Sequence, residues 1–126
     1  MSLAVALDKL LEVAGGFGTT PMMLTTDEDG RPRASGVAVT WDGELARVRA
    51  GHRSVANAAE RALVSLLYPA PPGERFALLI DGVVEGTEPD DVPPDTREGS
   101  RRAKPGGYVA VRATSATLHI VAKPHG

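Results

Sequence analysis

The chain has 126 residues, 42% hydrophobic and 24% charged, with a formal net charge of −2 and no cysteine. That length suits one domain over 1–126, able to bury roughly two-thirds of its unfolded surface, and the composition excludes collagen-like, coiled-coil and wholly disordered chains. The charge offers no basic field for nucleic acid or an anionic membrane, and the missing cysteines exclude disulfides, thiolate catalysis and cysteine-held metals.

In chain order, Leu3, Leu7, Leu10, Leu11 and Ala14 recur at helical spacing. Ser2 is placed to cap that helix and Gly15-Gly16 to end it. Asp8, Lys9 and Glu12 interrupt the apolar run, unlike a signal peptide, and no stretch reaches the length of a membrane span. A cytoplasmic location is expected.

The period then changes to two. "PMMLTTDEDGRPRASGVAVTWDGELARVRAG" reads as strands at about 21–26, 33–41 and 44–50. Turns fall at Asp27–Gly30 and at Asp42-Gly43, where glycine tolerates the positive φ of a hairpin turn. On the second strand Ala34, Gly36, Ala38 and Thr40 form a face of small residues. On the third, Arg47 and Arg49 alternate with apolar neighbours, so one face is basic.

A short helix is expected from Ser54 to about Arg61, followed by strands in "ALVSLLYPA" and in "RFALLIDGVVEG", the latter bending at Asp81-Gly82. Residues 88–107 are rich in proline, glycine and charge and read as a mobile loop. "YVAVRATSATLHIVA" closes the chain as one long or two short strands. Six or more antiparallel strands with two small helices imply a nearly closed barrel, because an open sheet would leave two exposed edges. Trp41 and Tyr68 are suited to fill the barrel end or a dimer interface.

The turn Gly51-His52-Arg53-Ser54 admits two readings. Ser54 at a strand-to-helix junction is a natural N-cap. A helix N-terminus with unpaired amides also suits a phosphate, with Arg53 forking onto two oxygens and His52 or Asn57 adding a donor. No Ser-His-Asp order, metal-binding His-Glu-x-x-His or P-loop is present. The three histidines, His52, His119 and His125, are too far apart in sequence for a local metal motif.

The succession "LTTDEDGRPRASGVAVTWDGELARVRAGHRSVANAAERALVSLLYP", with "DGVVEG" at 81–86, resembles the pyridoxamine 5′-phosphate oxidase-like, FMN-binding split-barrel family over about residues 20–86. The resemblance rests on Asp27 to Pro32, the strands around Asp42-Gly43, the turn ending at Ser54, and Val64-Ser65-Leu66. It implies a mainly β fold: a six-stranded antiparallel split β-barrel with an N-terminal helix and a short helix after the third strand. It further implies FMN held at a homodimer interface. The phosphate would lie against Arg53 and Ser54, the ring edge along Ser35, Gly36, Val37 and Ala38, and Arg49 near the ribityl-phosphate end.

Where the family's oxidases carry a basic residue on the second strand and a lysine after the turn, this chain has Ser35 and Ala56. The substrate-binding C-terminal segment of the pyridoxamine phosphate oxidases has no counterpart in "ATLHIVAKPHG". The leading expectation is therefore a small flavin-dependent oxidoreductase of undefined substrate, using FMN or a deazaflavin. A cofactor-free or weakly ligand-binding dimer that has lost the phosphate anchor is the alternative. Haem ligation by His119 is a further option.

Overall fold

The computed structural model describes residues 2–91 and 106–122. Among these residues are eight strands: β1 (Ser2–Val5), β2 (Met22–Thr26), β3 (Pro32–Gly36), β4 (Ala38–Asp42), β5 (Leu45–Ala50), β6 (Leu63–Tyr68), β7 (Phe76–Pro89) and β8 (Gly107–Ile120). A 3-10 turn at Leu7–Lys9 leads into α1 (Leu10–Gly15), and α2 (His52–Glu60) follows β5. All pairings are antiparallel, in the order β3-β2-β6-β7-β8-β5-β4, with β1 on β8.

The sheet's two end strands, β3 and β4, are successive in the chain, so the sheet curls back on itself and is split between them. They form one bent strand that changes partner at Val37, pairing first with β2 and then with β5. Residues before β2 bridge the corner: the Val37 amide donates to the Pro21 carbonyl at 3.1 Å and the Val39 amide to Thr19 at 3.0 Å. The split barrel expected from sequence is thus the fold, with more strands than six. The second strand counts as two, and the N-terminus adds another.

That addition corrects the N-terminal helix. Ser2–Val5 is a strand along Ala116–His119, and the helix proper begins only at Leu10. Ser2 caps nothing; its hydroxyl lies 2.9 Å from His119 Nδ1. Of the expected apolar stripe only Leu10 and Ala14 are buried, while Leu3 and Leu11 face solvent. The free edge of β8 beyond β5 takes the N-terminal residues as a ladder, and that tertiary pairing outweighs the local helical period.

β7 and β8 run side by side for fourteen residues each. β7 bends where expected, with register shifts at Asp81/Gly82 and Val84/Gly86. The bend requires a glycine: a Cβ on Gly82 would stand 2.5 Å from Val111 Cγ1 and 2.8 Å from the Arg112 carbonyl. The sequence segment 88–107 is not a loop at its ends. Glu88 and Pro89 belong to β7, Gly107 to β8, and the Asp90 amide donates to Gly106 O at 2.8 Å. Its stretch 92–105 lies outside the described residues.

Alternation sets the core. Met23, Val39, Ala46, Val48, Leu66, Ile80, Val109 and Val111 point inward, joined by Val55 and Ala58 of α2 and by Leu10 and Ala14 of α1. Trp41 and Tyr68 meet across the barrel end, the indole N–H donating to the phenol oxygen at 3.2 Å. Phe17 packs edge-on against Tyr68 with ring centroids 6.3 Å apart.

The Asp27–Gly30 turn is held by a single carboxylate. Asp27 Oδ1 accepts the amides of Asp29 and Arg31, both at 3.0 Å, and Oδ2 accepts Arg33 Nε at 2.8 Å. Gly30 supplies the positive φ of 79°. These donors, the Arg31 amide foremost, hold the Asp27 carboxyl below its ordinary value against the opposing effect of burial. A depressed folded-state value contributes stability above about pH 4, and that contribution is lost as pH falls through it. Asp27→Asn will therefore lower the melting temperature at pH 7, and the gap from wild type will narrow below about pH 4. A gap that is constant from pH 7 to 3 would show that the charge contributes nothing.

Candidate functional site

The site is built where β3, β4 and β5 meet the start of α2. β5 ends at Ala50, Gly51 is the helix N-cap in an extended conformation, and no side chain caps the helix. Ser54 is therefore not the cap, contrary to the first of the two sequence readings, but the third residue of α2. Its hydroxyl is drawn inward to Ser35, at an Oγ–Oγ distance of 2.6 Å, and Ser54 is only 7% exposed. Bonded to β3, this side chain leaves the first-turn amides of α2 uncapped.

The polar face of α2 continues this attachment. Asn57, 4% exposed, donates from Nδ2 to Thr25 Oγ1 at 3.2 Å and accepts Arg61 Nη2 at 3.3 Å. Arg61 Nε donates to the Thr26 carbonyl at 2.5 Å. Ser54, Asn57 and Arg61 thus fasten one side of the helix to β2 and β3. Asn57, read from the sequence together with His52 as an alternative extra donor to a phosphate, donates within the protein to Thr25.

The two residues ahead of Ser54 are different. His52 and Arg53 are exposed in the first turn of α2, which carries no acidic residue. Among the described residues the Arg53 guanidinium has neither a hydrogen bond nor an ion pair. An uncapped helix start with a cation and two nearby hydroxyls is a donor set suited to an anion. Among the described residues no buried side-chain nitrogen or oxygen lacks a partner, so the fit to an anion rests on this donor set.

Gly36 and Ala38 lie exposed on either side of buried Val37, at the corner of the bent strand. The Val37 amide is already spent on Pro21, which leaves the outer edges of β3 and β4 as the open backbone of the site. Arg49 sits across from Ala38 in the β4–β5 ladder, two residues before the N-cap. The structure therefore brings Ser35 and Ser54 into contact, and sets Arg49 and Ala38 side by side.

Arg49 is nevertheless engaged. Its Nη1 and Nη2 donate to Asp90 Oδ1 and Oδ2 at 2.6 and 2.5 Å, and its guanidinium lies 5.0 Å from the Tyr108 ring centroid. The hydrogen bond raises the Arg49 value and lowers that of Asp90, so the pair is ionic throughout the neutral range. Arg47 stacks 3.9 Å over Tyr108 and lies 3.8 Å from Glu88, and Arg112 meets Glu85 through two bonds of 3.0 Å. The basic face expected on β5 is thus matched by Glu88 of β7 and by Asp90 just beyond it.

Glu88, Asp90 and Tyr108 were missed by sequence reasoning. The available signal was the pairing of two alternating charge doublets, Arg47/Arg49 and Glu88/Asp90, on strands that share β8 as neighbour. Beside them Leu45, Arg47, Glu85, Gly86 and Ala110 help to line a groove of about 350 Å³. His119 lies elsewhere, exposed beside Ser2. Among the described residues no three His, Asp or Glu side chains gather as for a metal, and no helix is long and apolar enough to cross a membrane.

No family profile matches the sequence, and no curated protein matches it either. Solved structures do match in shape. An F420 reductase superposes with a TM-score of 0.59 at 20% identity, covering 78% of this chain and 88% of that one. A Listeria innocua protein described as a pyridoxamine 5′-phosphate oxidase gives 0.61 at 16%, covering 91% and 97%. HutZ, the haem storage protein of Vibrio cholerae, gives 0.62 at 16%, covering 92% and 96%. Identities this low speak to architecture, and the architectures agree over 78–92% of this chain. The chain has the split-barrel fold of these solved structures.

Proposed function

We propose that the chain is an FMN-binding split-barrel protein that works as a homodimer, as a small flavin-dependent oxidoreductase. The observation that carries this reading is the start of α2: an uncapped helix end without acids, exposed Arg53, and the Ser35–Ser54 hydroxyl pair just behind it. A phosphate needs several convergent donors and a local positive potential, and this turn supplies both. The residues present fit the group.

In this reading Arg53 and the first-turn amides bind the phosphate, and Ser54 offers it the hydroxyl now shared with Ser35. Gly36 and Ala38 present small, exposed surface on which a flat ring can approach the backbone. The flavin ring, when bound, supplies the electron or hydride chemistry, so the protein's task is to position it and keep water from one side. Exposed Gly36 and Ala38 give one chain a single wall for the ring, and a second copy supplies the other.

A dimer is also supported by Leu63, which is 75% exposed and paired with exposed Val83 across β6 and β7. The deazaflavin reading draws on the likeness to an F420 reductase. The cofactor-free reading draws on Arg49, Ser54 and Asn57 all having partners inside the chain.

The visible spectrum of the purified protein, before and after FMN addition and desalting, tests the proposal. Flavin bands retained at near one per chain, in a particle of dimer mass by light scattering, are the expected result. A colourless protein after desalting would reject FMN and direct the same test to a deazaflavin.

A further inference from the structure

We propose that Asp90 sets the affinity of this site by occupying the guanidinium fork of Arg49 in competition with an anionic ligand group. The inference rests on the phosphate-binding reading of the α2 turn. A carboxylate and a phosphate offer a guanidinium the same two-oxygen edge, and the bidentate pair at 2.6 and 2.5 Å fills that edge completely. Arg49 is well placed to be contested, since it neighbours exposed Ala38 on one side and the N-cap of α2 along the chain.

Asp90 is also held in place. Its amide donates to Gly106 O at 2.8 Å, while Gly107 pairs with Ala50 at the end of β5. Two neighbouring carboxylates have other partners, Glu88 lying 3.8 Å from Arg47 and Glu85 bonding Arg112, while Asp42 stands at the far end of β4 from Ala38. With Asp90 in position the surface beside Ala38 is neutral and suits the uncharged part of a ligand. Without its charge, Arg49 becomes a second anion anchor next to the first.

The test compares Kd for FMN and for riboflavin, which has the ring but no phosphate, by flavin fluorescence quenching at fixed ionic strength. The proteins are wild type, Asp90→Asn, Arg49→Met and the double variant, with Asp90→Ser as a second replacement and melting temperatures to confirm folding. Asp90→Asn is expected to tighten FMN roughly tenfold or more, the size of one charge-assisted hydrogen bond. Riboflavin is expected to bind unchanged, and the gain to vanish in the Arg49→Met background.

A gain shared by riboflavin, or one surviving the loss of Arg49, would overturn competition for the guanidinium. Unchanged FMN affinity in both Asp90 variants, while binding still depends on Arg53 and Ser54, would overturn the role of Asp90 and leave the phosphate site standing. Failure of wild type and variants alike to bind FMN would overturn both.

Discussion

Replacing Arg53 and Ser54 together by alanine will weaken FMN binding by about 2–4 kcal/mol, roughly 30- to 1000-fold, on the scale of one charge-assisted and one ordinary hydrogen bond lost from a phosphate. Arg53 contributes the larger part, because it is the exposed cation in a first turn that holds no acid. Ser54 contributes through its hydroxyl and through Ser35, whose own hydroxyl loses its partner at 2.6 Å. Calorimetry with FMN and with riboflavin separates the phosphate from the ring. The double variant should lose affinity for FMN while its affinity for riboflavin changes little. Equal losses for both ligands would mean the turn only shapes the fold, and no loss for either would remove it from the site.

How far the sequence reveals this site depends on the range over which each interaction acts. The hairpin turns were legible because Gly30 and Gly43 answer a local demand for positive φ, at 79° and 61°. The bend at Asp81-Gly82 was legible for a similar reason, since a glycine inside an apolar strand marks a close approach. The start of α2 was misplaced by two residues because serine is a favoured cap, and only the contact with Ser35, 19 residues earlier, shows why Ser54 is not one. The first strand was hidden in the same way: Leu3, Leu7 and Leu10 keep a helical period, while the partner of Ser2 is His119. Asp90 was obscured by its setting in a segment of proline and charge, and its role appears only once β7 and β5 are joined through β8. Local conformation was readable, and contacts closed by the barrel were not.

The largest effect on stability is expected at Tyr68, where Tyr68→Ala will destabilise the protein by about 3–5 kcal/mol, as for other large aromatic deletions in cores. The side chain is 1% exposed and among the largest wholly buried ones, so truncation leaves a cavity at the barrel end. It also removes the acceptor of the Trp41 indole, 3.2 Å away, and the edge contact with Phe17. Trp41 lies on β4, Tyr68 on β6 and Phe17 just beyond α1, so one ring ties the split edge of the barrel to its centre and to the N-terminal helix. Tyr68→Phe isolates the polar part of that loss: it keeps the volume, orphans the indole N–H, and should cost about 1–2 kcal/mol. Urea unfolding of both variants measures the two steps. If Tyr68→Phe proved as costly as Tyr68→Ala, the hydrogen bond rather than the packing would close the barrel end. If neither differed from wild type, the barrel end would be held by the ladders of β7 and β8 alone.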